Sequence, residues 1–166
     1  ALAVSFRKIG FKVTVFERSK SISEFGAGVQ LSPNGMKVLR YLDVEEKIIE
    51  VSSFPERILI TRAEDNNYVS QIPLGMVANK RYGASFLQIH RSDLINILFK
   101  KACDLGVNFQ FDSEAVVKFT GNDSAILSVD NENFTFDAII AADGVHSITR
   151  KTFFEIAEPK FLKQIA

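Results

Sequence analysis

The stretch Ile139–Ser147, IIAADGVHS, is an apolar run that ends abruptly at an acid and a glycine. A second run with alternating apolar residues, Val13–Phe16 (VTVF), ends in the same way at Glu17 and Arg18 and leads into a loop with two glycines. Such runs are typical of buried strands, and strand ends in α/β proteins are where ligands bind. Two strand ends of this kind in one chain predict a single ligand for both.

The composition is that of one globular domain. The chain has 166 residues, of which 46% are hydrophobic and 24% are charged, so it can form a real core. Lysine plus arginine and aspartate plus glutamate number 20 each, and the formal net charge is therefore zero. A neutral chain has no overall field that would attract nucleic acid or an anionic bilayer, so any anion must be bound by local groups.

Cysteine content and the opening segment set further bounds. Cys103 is the only cysteine of the sequence, which excludes an internal disulfide and a thiol metal cluster and fits a reducing, cytoplasmic compartment. We expect it to be a small buried hydrophobic residue on the inward face of a helix. The apolar opening of residues 1–13 is too short for a membrane-spanning helix and lacks the basic region of a signal peptide.

Hydrophobic periodicity predicts alternating helices and strands. The elements expected before residue 85 are a helix over 1–8, a strand at 13–16, a helix starting at Ser32 and Pro33, a short helix at 44–51, a hairpin formed by 57–62 and 68–72, and a loop at 76–84. The clearest helix lies within residues 90–106, where apolar residues recur on one face and Gly106 follows as a stop.

The last third of the chain predicts an antiparallel meander. Between residues 114 and 138, the turn segments TGND and DNEN separate three strand-like runs, and the third leads into Ile139–Ala142. We expect this run to re-enter a parallel sheet. Helices between strands at both ends, with β-rich segments inside, favour an α/β fold in which a doubly wound layer carries an antiparallel subsheet.

Glu17 has the position of a nucleotide-binding carboxylate. In a dinucleotide-binding βαβ unit, an acid ends the second strand roughly 20 residues after the glycine-rich turn and accepts hydrogen bonds from ribose hydroxyls. By that spacing, the first strand and its glycines would precede residue 1. A carboxylate here disfavours NADP in this pocket. The alternative for Glu17 is a solvated charge that closes a strand.

Three segments in this order resemble one enzyme family: FERSKSISEFGAGVQLSPNG (16–35), QIHRSDL (88–94) and DAIIAADGVHSITR (137–150). They are similar to the FAD-dependent aromatic hydroxylases, the class A flavoprotein monooxygenases. The resemblance covers nearly the whole chain and implies an incomplete Rossmann-like FAD-binding fold with an antiparallel β-meander. Residues 1–166 would form a partial FAD-binding domain without its first strand and glycine-rich turn, and residues 56–89 would contribute to the substrate-domain β-sheet.

The resemblance also assigns the first cofactor contacts. Glu17 would hold the adenosine ribose of FAD, as suits a double acceptor facing a diol. Arg18 would lie along the adenosine or pyrophosphate side, with a surface ion pair as the alternative. Ala27 and Gly28, together with Gly26, resemble a small-residue loop that passes close to the flavin, with a plain turn as the alternative.

Three more residues complete the implied FAD site. Arg91 would reach the FAD phosphates and the ribityl chain from the start of a helix, since its planar fork can bind phosphate oxygens in pairs. The alternative is an ordinary arginine at a helix start. Asp143 and Gly144 match the family's Asp-Gly motif, in which the acid would accept hydrogen bonds from backbone amides, ribityl hydroxyls or water. The resemblance thus implies that Glu17, Arg91 and Asp143 converge around one FAD.

The implied reaction is a monooxygenation. NAD(P)H would reduce FAD, O₂ would add to the reduced flavin, and the C4a-hydroperoxide would hydroxylate a small aromatic substrate. No residue of the chain is assigned as catalytic, and no metal is expected. The alternatives are a truncated, non-catalytic remnant or binding module and a related FAD enzyme such as an epoxidase or a reductase. Uncovered apolar faces would favour a homo-oligomer or a complementing chain.

Overall fold

The computed structural model describes residues 1–22, 27–120 and 124–154. The chain divides into two compact units, Ala1–Val15 with Ser21–Phe109 and Phe16–Lys20 with Gln110–Ala166. The helices are α1 (Leu2–Lys8), α2 (Pro33–Tyr41), α3 (Glu45–Glu50), α4 (Gly75–Tyr82), α5 (Arg91–Asp104) and α6 (Ile148–Phe153).

Short strands alternate with these helices. They are β1 (Thr14–Phe16), β2 (Gly28–Leu31), β3 (Arg57–Thr61), β4 (Tyr68–Pro73), β5 (Leu87–His90), β6 (Asn108–Gln110), β7 (Ala115–Thr120), β8 (Ala125–Val129) and β9 (Glu132–Phe136). β1 pairs with β6, and β2 pairs antiparallel with β5. The β3–β4 hairpin and the β7–β8–β9 meander are antiparallel, which confirms both predictions.

The first unit has one hydrophobic core, contributed by α1, α2, α3, α5 and the β2–β5 pair. Its largest fully buried side chains are Met36, Leu42, Ile48, Leu87, Val4 and Val44. The predicted stripe of α5 is confirmed in its main part, because Leu94, Leu98 and Ala102 pack into this core. Ser32 and Pro33 stand at the start of α2 as expected, with Ser32 extended and Pro33 in the first turn.

The register of β2 against β5 follows from this core. Leu31 lies opposite Leu87 and Val29 lies opposite Ile89. Leu87 and Ile89 are buried, while Val29 and Leu31 are partly buried and pack against the same core. Side chains alternate between the two faces of a strand, so the intervening residues of both strands, which include Gly28 and His90, face away from the core.

A charged turn connects α2 to α3 at Asp43. Asp43 has a φ of 55°, in the left-handed region that glycine occupies most easily, and it still carries a side chain. Its Oδ2 atom accepts hydrogen bonds from the Nζ atom of Lys8 at 2.7 Å and from that of Lys101 at 3.5 Å. The two ammonium groups lower the pKa of Asp43, with the Lys8 hydrogen bond as the largest cause. The turn therefore ties α1 and α5 to the α2–α3 connection.

The second unit is built on the meander. Val117, Leu127 and Val129 are buried on one face of its sheet. Phe16 from β1 and Phe153 from α6 pack against this cluster. The same face of the meander therefore contacts β1, which ends just before Glu17, and α6, which follows Asp143.

Two sequence predictions about backbone structure are wrong. The segment 76–84, expected to be a loop, lies mostly in α4, which buries Ala78 four residues after the buried N-cap residue Leu74 and ends at Gly83 with a φ of 70°. The run Ile139–Ala142 is not a strand. A strand needs a backbone partner, and within the described ranges no strand pairs with this run. Ile139 is partly buried against the meander, and Ile140 is 53% exposed.

Cys103 is exposed, which also corrects the sequence prediction. Successive residues of a helix are rotated by about 100°, and Ala102 is the residue that faces the core. No helix within the described ranges is long and apolar enough to cross a membrane.

We expect Met36→Ala to lower the free energy of unfolding by about 2–5 kcal/mol, because it leaves a cavity in a fully buried position. Val38→Ala, on the same helix at a side chain that is 52% exposed, should change it by less than about 0.5 kcal/mol. Chemical denaturation of both variants measures the difference. Equal losses would contradict the assignment of the core.

Asp43 should make stability depend on pH. Because its pKa is lowered in the folded state, its contribution is fully present above the ordinary value of 3.8 and is lost as the pH falls through the lowered pKa. Asp43→Asn should therefore be less stable than the wild type at pH 7, and the difference should shrink below pH 3.8. Denaturation at pH 7, 4 and 3 measures it; a difference that stays constant would show that the ion pairs add nothing.

Candidate functional site

Ala27, Gly28 and Arg91 meet at one junction of the first unit. Gly28 is paired with His90, at the point where β5 ends and α5 begins. The backbone N–H of Arg91 donates to the carbonyl oxygen of Ala27 at 3.3 Å. Arg91 is exposed, as are Ala27 and Gly28. The small-residue loop and the helix-start arginine, far apart in sequence, are thus direct neighbours; Gly26 lies outside the described residues.

Gly28 is not required by the backbone of this chain. Its φ lies outside the left-handed region, and a Cβ placed there would meet only the carbonyl oxygen of Ile89 at 3.9 Å, an ordinary contact. The missing side chain therefore leaves space on the outer face of the β2–β5 pair. An open groove of about 510 Å³ lies there, lined by Gly28, residues 50–53, Gln88, Ile89 and His90.

His90 is held at the edge of this groove by a hydrogen bond between its Nδ1 atom and the Oγ atom of Ser92, 2.6 Å apart. The N-terminus of α5 has partial positive charge from its backbone amides, and Arg91 adds a full one. Asp93 is the acid of the first turn of this helix. The lining of the groove itself includes the carboxylate of Glu50, and Arg91 follows the lining residue His90 in the chain.

Glu17 stands directly after β1, as predicted. Its backbone N–H donates to the carbonyl oxygen of Gln110 at 2.8 Å, and its carbonyl accepts from Ser113 at 3.0 Å. Its Oε1 atom accepts from the backbone N–H of Ser19 at 2.9 Å, so the side chain is oriented by the turn that follows. A carboxylate has a second oxygen that can accept hydrogen bonds from a ribose diol. Arg18, the next residue, is exposed.

Asp143 and Gly144 form the turn that leads into α6. Gly144 has a φ of 76°, so glycine is required here by the backbone. The Oδ2 atom of Asp143 accepts from the backbone N–H of Thr149 at 3.1 Å. The sequence expectation that this acid binds backbone amides is met by an amide of its own chain.

Ser147 completes this turn, and sequence reasoning missed it. The pKa of Asp143 is lowered from 3.8 to about 2, with the Ser147 side chain as the largest cause and Thr149 as a further one. The Oγ atom of Ser147 accepts from the backbone N–H of Arg150 at 2.9 Å. The signal that could have revealed it is a serine directly before a helical segment, a common N-cap.

Two other residues of this segment, Arg150 and His146, differ in their contacts. The guanidinium group of Arg150 donates to the carbonyl oxygen of Val145 at 2.5 Å, so this arginine closes the turn. His146 is exposed.

Within the described part of the chain, no three side chains of the histidine, cysteine, aspartate and glutamate types are placed to hold a metal ion.

The predicted site residues therefore fall into two groups. Ala27, Gly28 and Arg91 belong to the first unit, where the structure brings them together, and Glu17, Arg18, Asp143 and Gly144 belong to the second. In the second unit, the flanks of both segments pack against the core of the meander. That the two groups converge on one FAD stays a prediction.

Comparison with known proteins shows the family to which the chain belongs. Residues 1–158 match a family described as "FAD binding domain". The chain is 33% identical over 158 residues to 6-hydroxynicotinate 3-monooxygenase from Pseudomonas fluorescens, covering 95% of this chain and 40% of that protein. It is 29% identical over 155 residues to 3-hydroxybenzoate 6-hydroxylase from Polaromonas naphthalenivorans, covering 92% of this chain and 39% of that protein. The chain thus spans about 40% of the length of these relatives.

Solved structures show the same fold. The tetrameric form of 2-methyl-3-hydroxypyridine-5-carboxylic acid oxygenase superposes with a TM-score of 0.76 at 29% identity, covering 90% of this chain and 38% of that one. CtdE in complex with FAD has a TM-score of 0.70 at 21% identity, over 90% of this chain and 37% of that one. The fold is mixed α/β with antiparallel strand pairs, a partial domain of the kind found in FAD-binding monooxygenases. The chain belongs to the FAD binding domain family, whose relatives here are FAD-dependent aromatic monooxygenases.

Proposed function

We propose that this chain forms part of the FAD site of a monooxygenase that uses NAD(P)H and O₂ to hydroxylate a small aromatic compound. The observation that supports it best is the junction at which Ala27, Gly28 and Arg91 meet. It joins a glycine without a backbone role to an exposed cation at the start of a 14-residue helix. The names of the relatives support the substrate class, since they act on hydroxylated nicotinate and benzoate.

The residues present fit FAD in both of its polar parts. Arg91, with the amides at the start of α5, would bind the pyrophosphate or the ribityl chain. Glu17, already oriented by Ser19, would accept hydrogen bonds from the adenosine ribose, and Arg18 would lie beside it. Gly28 would let the flavin approach the β2 backbone closely. Asp143 and Gly144 would present the turn before α6 to the cofactor.

Bound FAD would supply the redox chemistry of the reaction with NAD(P)H and O₂. The residues of this chain would bind and orient it, and we assign none of them as catalytic. We place the protein in the cytoplasm, where NAD(P)H is available and a single exposed thiol such as Cys103 stays reduced.

The β3–β4 hairpin would belong to the substrate-domain sheet, within residues 56–89. Ile58, Ile60 and Ile72 lie on one of its faces and are 38%, 44% and 47% exposed. A two-stranded hairpin with an open apolar face is marginally stable by itself. Further strands of the substrate domain, a second copy or a complementing chain would cover this face.

We expect the purified chain to retain FAD, seen as a shifted flavin absorbance spectrum and altered flavin fluorescence. Arg91→Ala should weaken FAD binding by roughly 10- to 100-fold, because hydrogen bonds to charged groups contribute about 1.5–3 kcal/mol. Arg91→Lys should lie between the two. The control is Arg81→Ala, which removes another exposed arginine of the same unit and should leave the affinity unchanged.

Absence of FAD binding by the wild-type chain would favour the non-catalytic remnant or binding module. In a longer polypeptide that contains this chain, substrate-dependent NAD(P)H oxidation with uptake of O₂ would identify an oxygenase. NAD(P)H oxidation without uptake of O₂ would identify a reductase instead, and the oxygenated product would distinguish a hydroxylase from an epoxidase.

Gly28→Ala should separate ligand binding from stability. The added methyl group meets only an ordinary contact in the protein, so the free energy of unfolding should change by less than about 0.5 kcal/mol. FAD affinity should fall about tenfold, since overpacking against the ligand costs about 1–3 kcal/mol. Calorimetric titration with FAD and chemical denaturation measure the two effects.

Gly35→Ala is the matched control for this variant. Gly35 lies inside α2, away from the junction, and a Cβ there has nothing within 4 Å. The change should stabilise the chain by roughly 0.5–1 kcal/mol and leave FAD affinity unaltered. If Gly28→Ala also left FAD affinity unaltered, the cofactor would not pass close to β2.

A further inference from the structure

The outer face of the β2–β5 pair is a polar strip in which one position has no side chain. Gln30 lies opposite Gln88, Gly28 lies opposite His90, and all four residues are exposed. Side chains directly opposite each other in an antiparallel pair are close neighbours. Because Gly28 has no Cβ, the imidazole of His90 borders the open space above the Gly28 backbone, and both residues line the groove.

A hydrogen bond determines which nitrogen of His90 remains for a ligand. The Nδ1 atom of His90 lies 2.6 Å from the Oγ atom of Ser92, and within the described ranges these two side chains form no other hydrogen bond. The one hydroxyl proton of Ser92 is therefore available to Nδ1. In that arrangement a neutral imidazole carries its own proton on Nε2, which becomes a donor at the edge of the groove.

The serine hydroxyls that line the groove already donate to the backbone. The Oγ atom of Ser52 donates to the carbonyl oxygen of Ile48 at 2.6 Å, and that of Ser53 donates to the carbonyl oxygen of Gln88 at 3.3 Å. The carboxylate of Glu50, also in the lining, repels anionic groups such as phosphate. The ligand atom that suits His90 here is therefore an uncharged oxygen.

We propose that His90 contacts the cofactor, with its Nε2–H donating a hydrogen bond to a carbonyl oxygen of the flavin ring. The inference rests on the proposed function, in which the flavin passes close to β2 at Gly28. His90 is the residue opposite that glycine, so a ring above the Gly28 backbone lies beside the imidazole. The bond to Ser92 holds the imidazole in one orientation, which lowers the entropy cost of the contact.

Two variants separate a cofactor contact from a structural role of His90. In His90→Gln, the side-chain amide can reach the position of Nε2 and donate there, whereas the shorter side chain of His90→Asn reaches only the position of Nδ1. His90 is the N-cap residue of α5, and asparagine is among the best N-cap residues. A structural role therefore predicts that the Asn variant is the less impaired of the two, and a cofactor contact predicts the Gln variant.

Titration of the purified chain with FAD measures the contact. We expect His90→Asn to weaken FAD binding about tenfold, because it removes one hydrogen bond, and His90→Gln to stay within about threefold of the wild type. Asn79→Ala is the matched control, since it removes the exposed hydrogen bond from Asn79 to Ser85 outside the lining of the groove and should leave the affinity unaltered. Equal FAD affinities of the folded Asn and Gln variants would overturn the proposal.

ADP distinguishes the flavin from the phosphates, because it carries the phosphates alone. ADP should not distinguish the wild type from His90→Asn. A loss of ADP affinity as large as the loss of FAD affinity would assign His90 to the phosphates and overturn the contact with the flavin.

Nitrogen-15 NMR of the imidazole, without cofactor, tests the orientation step. In alkaline buffer, where imidazole is neutral, we expect the proton of His90 on Nε2, and Ser92→Ala should let the second tautomer appear. A proton on Nδ1 in the wild type would overturn the donor role of Nε2. If the wild-type chain binds no FAD, the proposed function fails for this chain and the contact fails with it; FAD binding that is indifferent to His90 overturns the contact alone.

Discussion

The register of β2 against β5 determines the geometry of the first unit's candidate site. Leu87 and Ile89 must face the core, and so must their partners Leu31 and Val29. A slip by one residue would turn both buried side chains outwards, which makes the observed register much the most favourable. Once it is set, Gly28 can only lie opposite the residue before Arg91. An apolar alternation thus decides where a glycine and an arginine meet.

The second unit achieves its local order in a different way. The acid, the glycine and the serine of the turn at Asp143, Gly144 and Ser147 are linked by short-range hydrogen bonds. These depend on backbone conformation and on one buried hydroxyl, and not on a sheet register. The α6 helix is anchored separately, through Phe153 against the meander. Most hydrogen-bond partners in this turn lie within seven residues of each other. The turn can therefore form without contacts from the rest of the chain.

Elements whose hydrophobic residues repeat regularly along the chain were predicted from the sequence, and elements without such a repeat were missed. The stripe of α5 and the strands of the meander repeat over enough residues to distinguish helix from strand. By contrast, α4 buries only Ala78, and its glycine and polar residues resemble a loop. The run at residues 139–142 has the composition of a strand, yet a strand also needs a neighbour, and composition says nothing about neighbours.

The sequence named candidate site residues one by one, but it could not give their arrangement in space. The role proposed for Glu17 rests on spacing along the chain and on the family resemblance, and the roles proposed for Arg91 and Asp143 rest on the resemblance alone. The hydrogen bond between Ala27 and Arg91 depends on tertiary pairing of segments about 60 residues apart, which spacing cannot reveal. Ser147 was missed although its position directly before a helical segment is a signal for an N-cap, and its burial appears only in the three-dimensional structure.

The open isoleucine face of the β3–β4 hairpin has a practical consequence in solution. With a formal net charge of zero at pH 7, molecules of this chain do not repel one another at neutral pH. Because the isoleucine face is exposed and the molecules carry no net charge, the polypeptide should precipitate most readily in neutral buffer. Preparations kept a unit or more to the alkaline side, where the molecules acquire like charge, should stay dispersed at higher concentration.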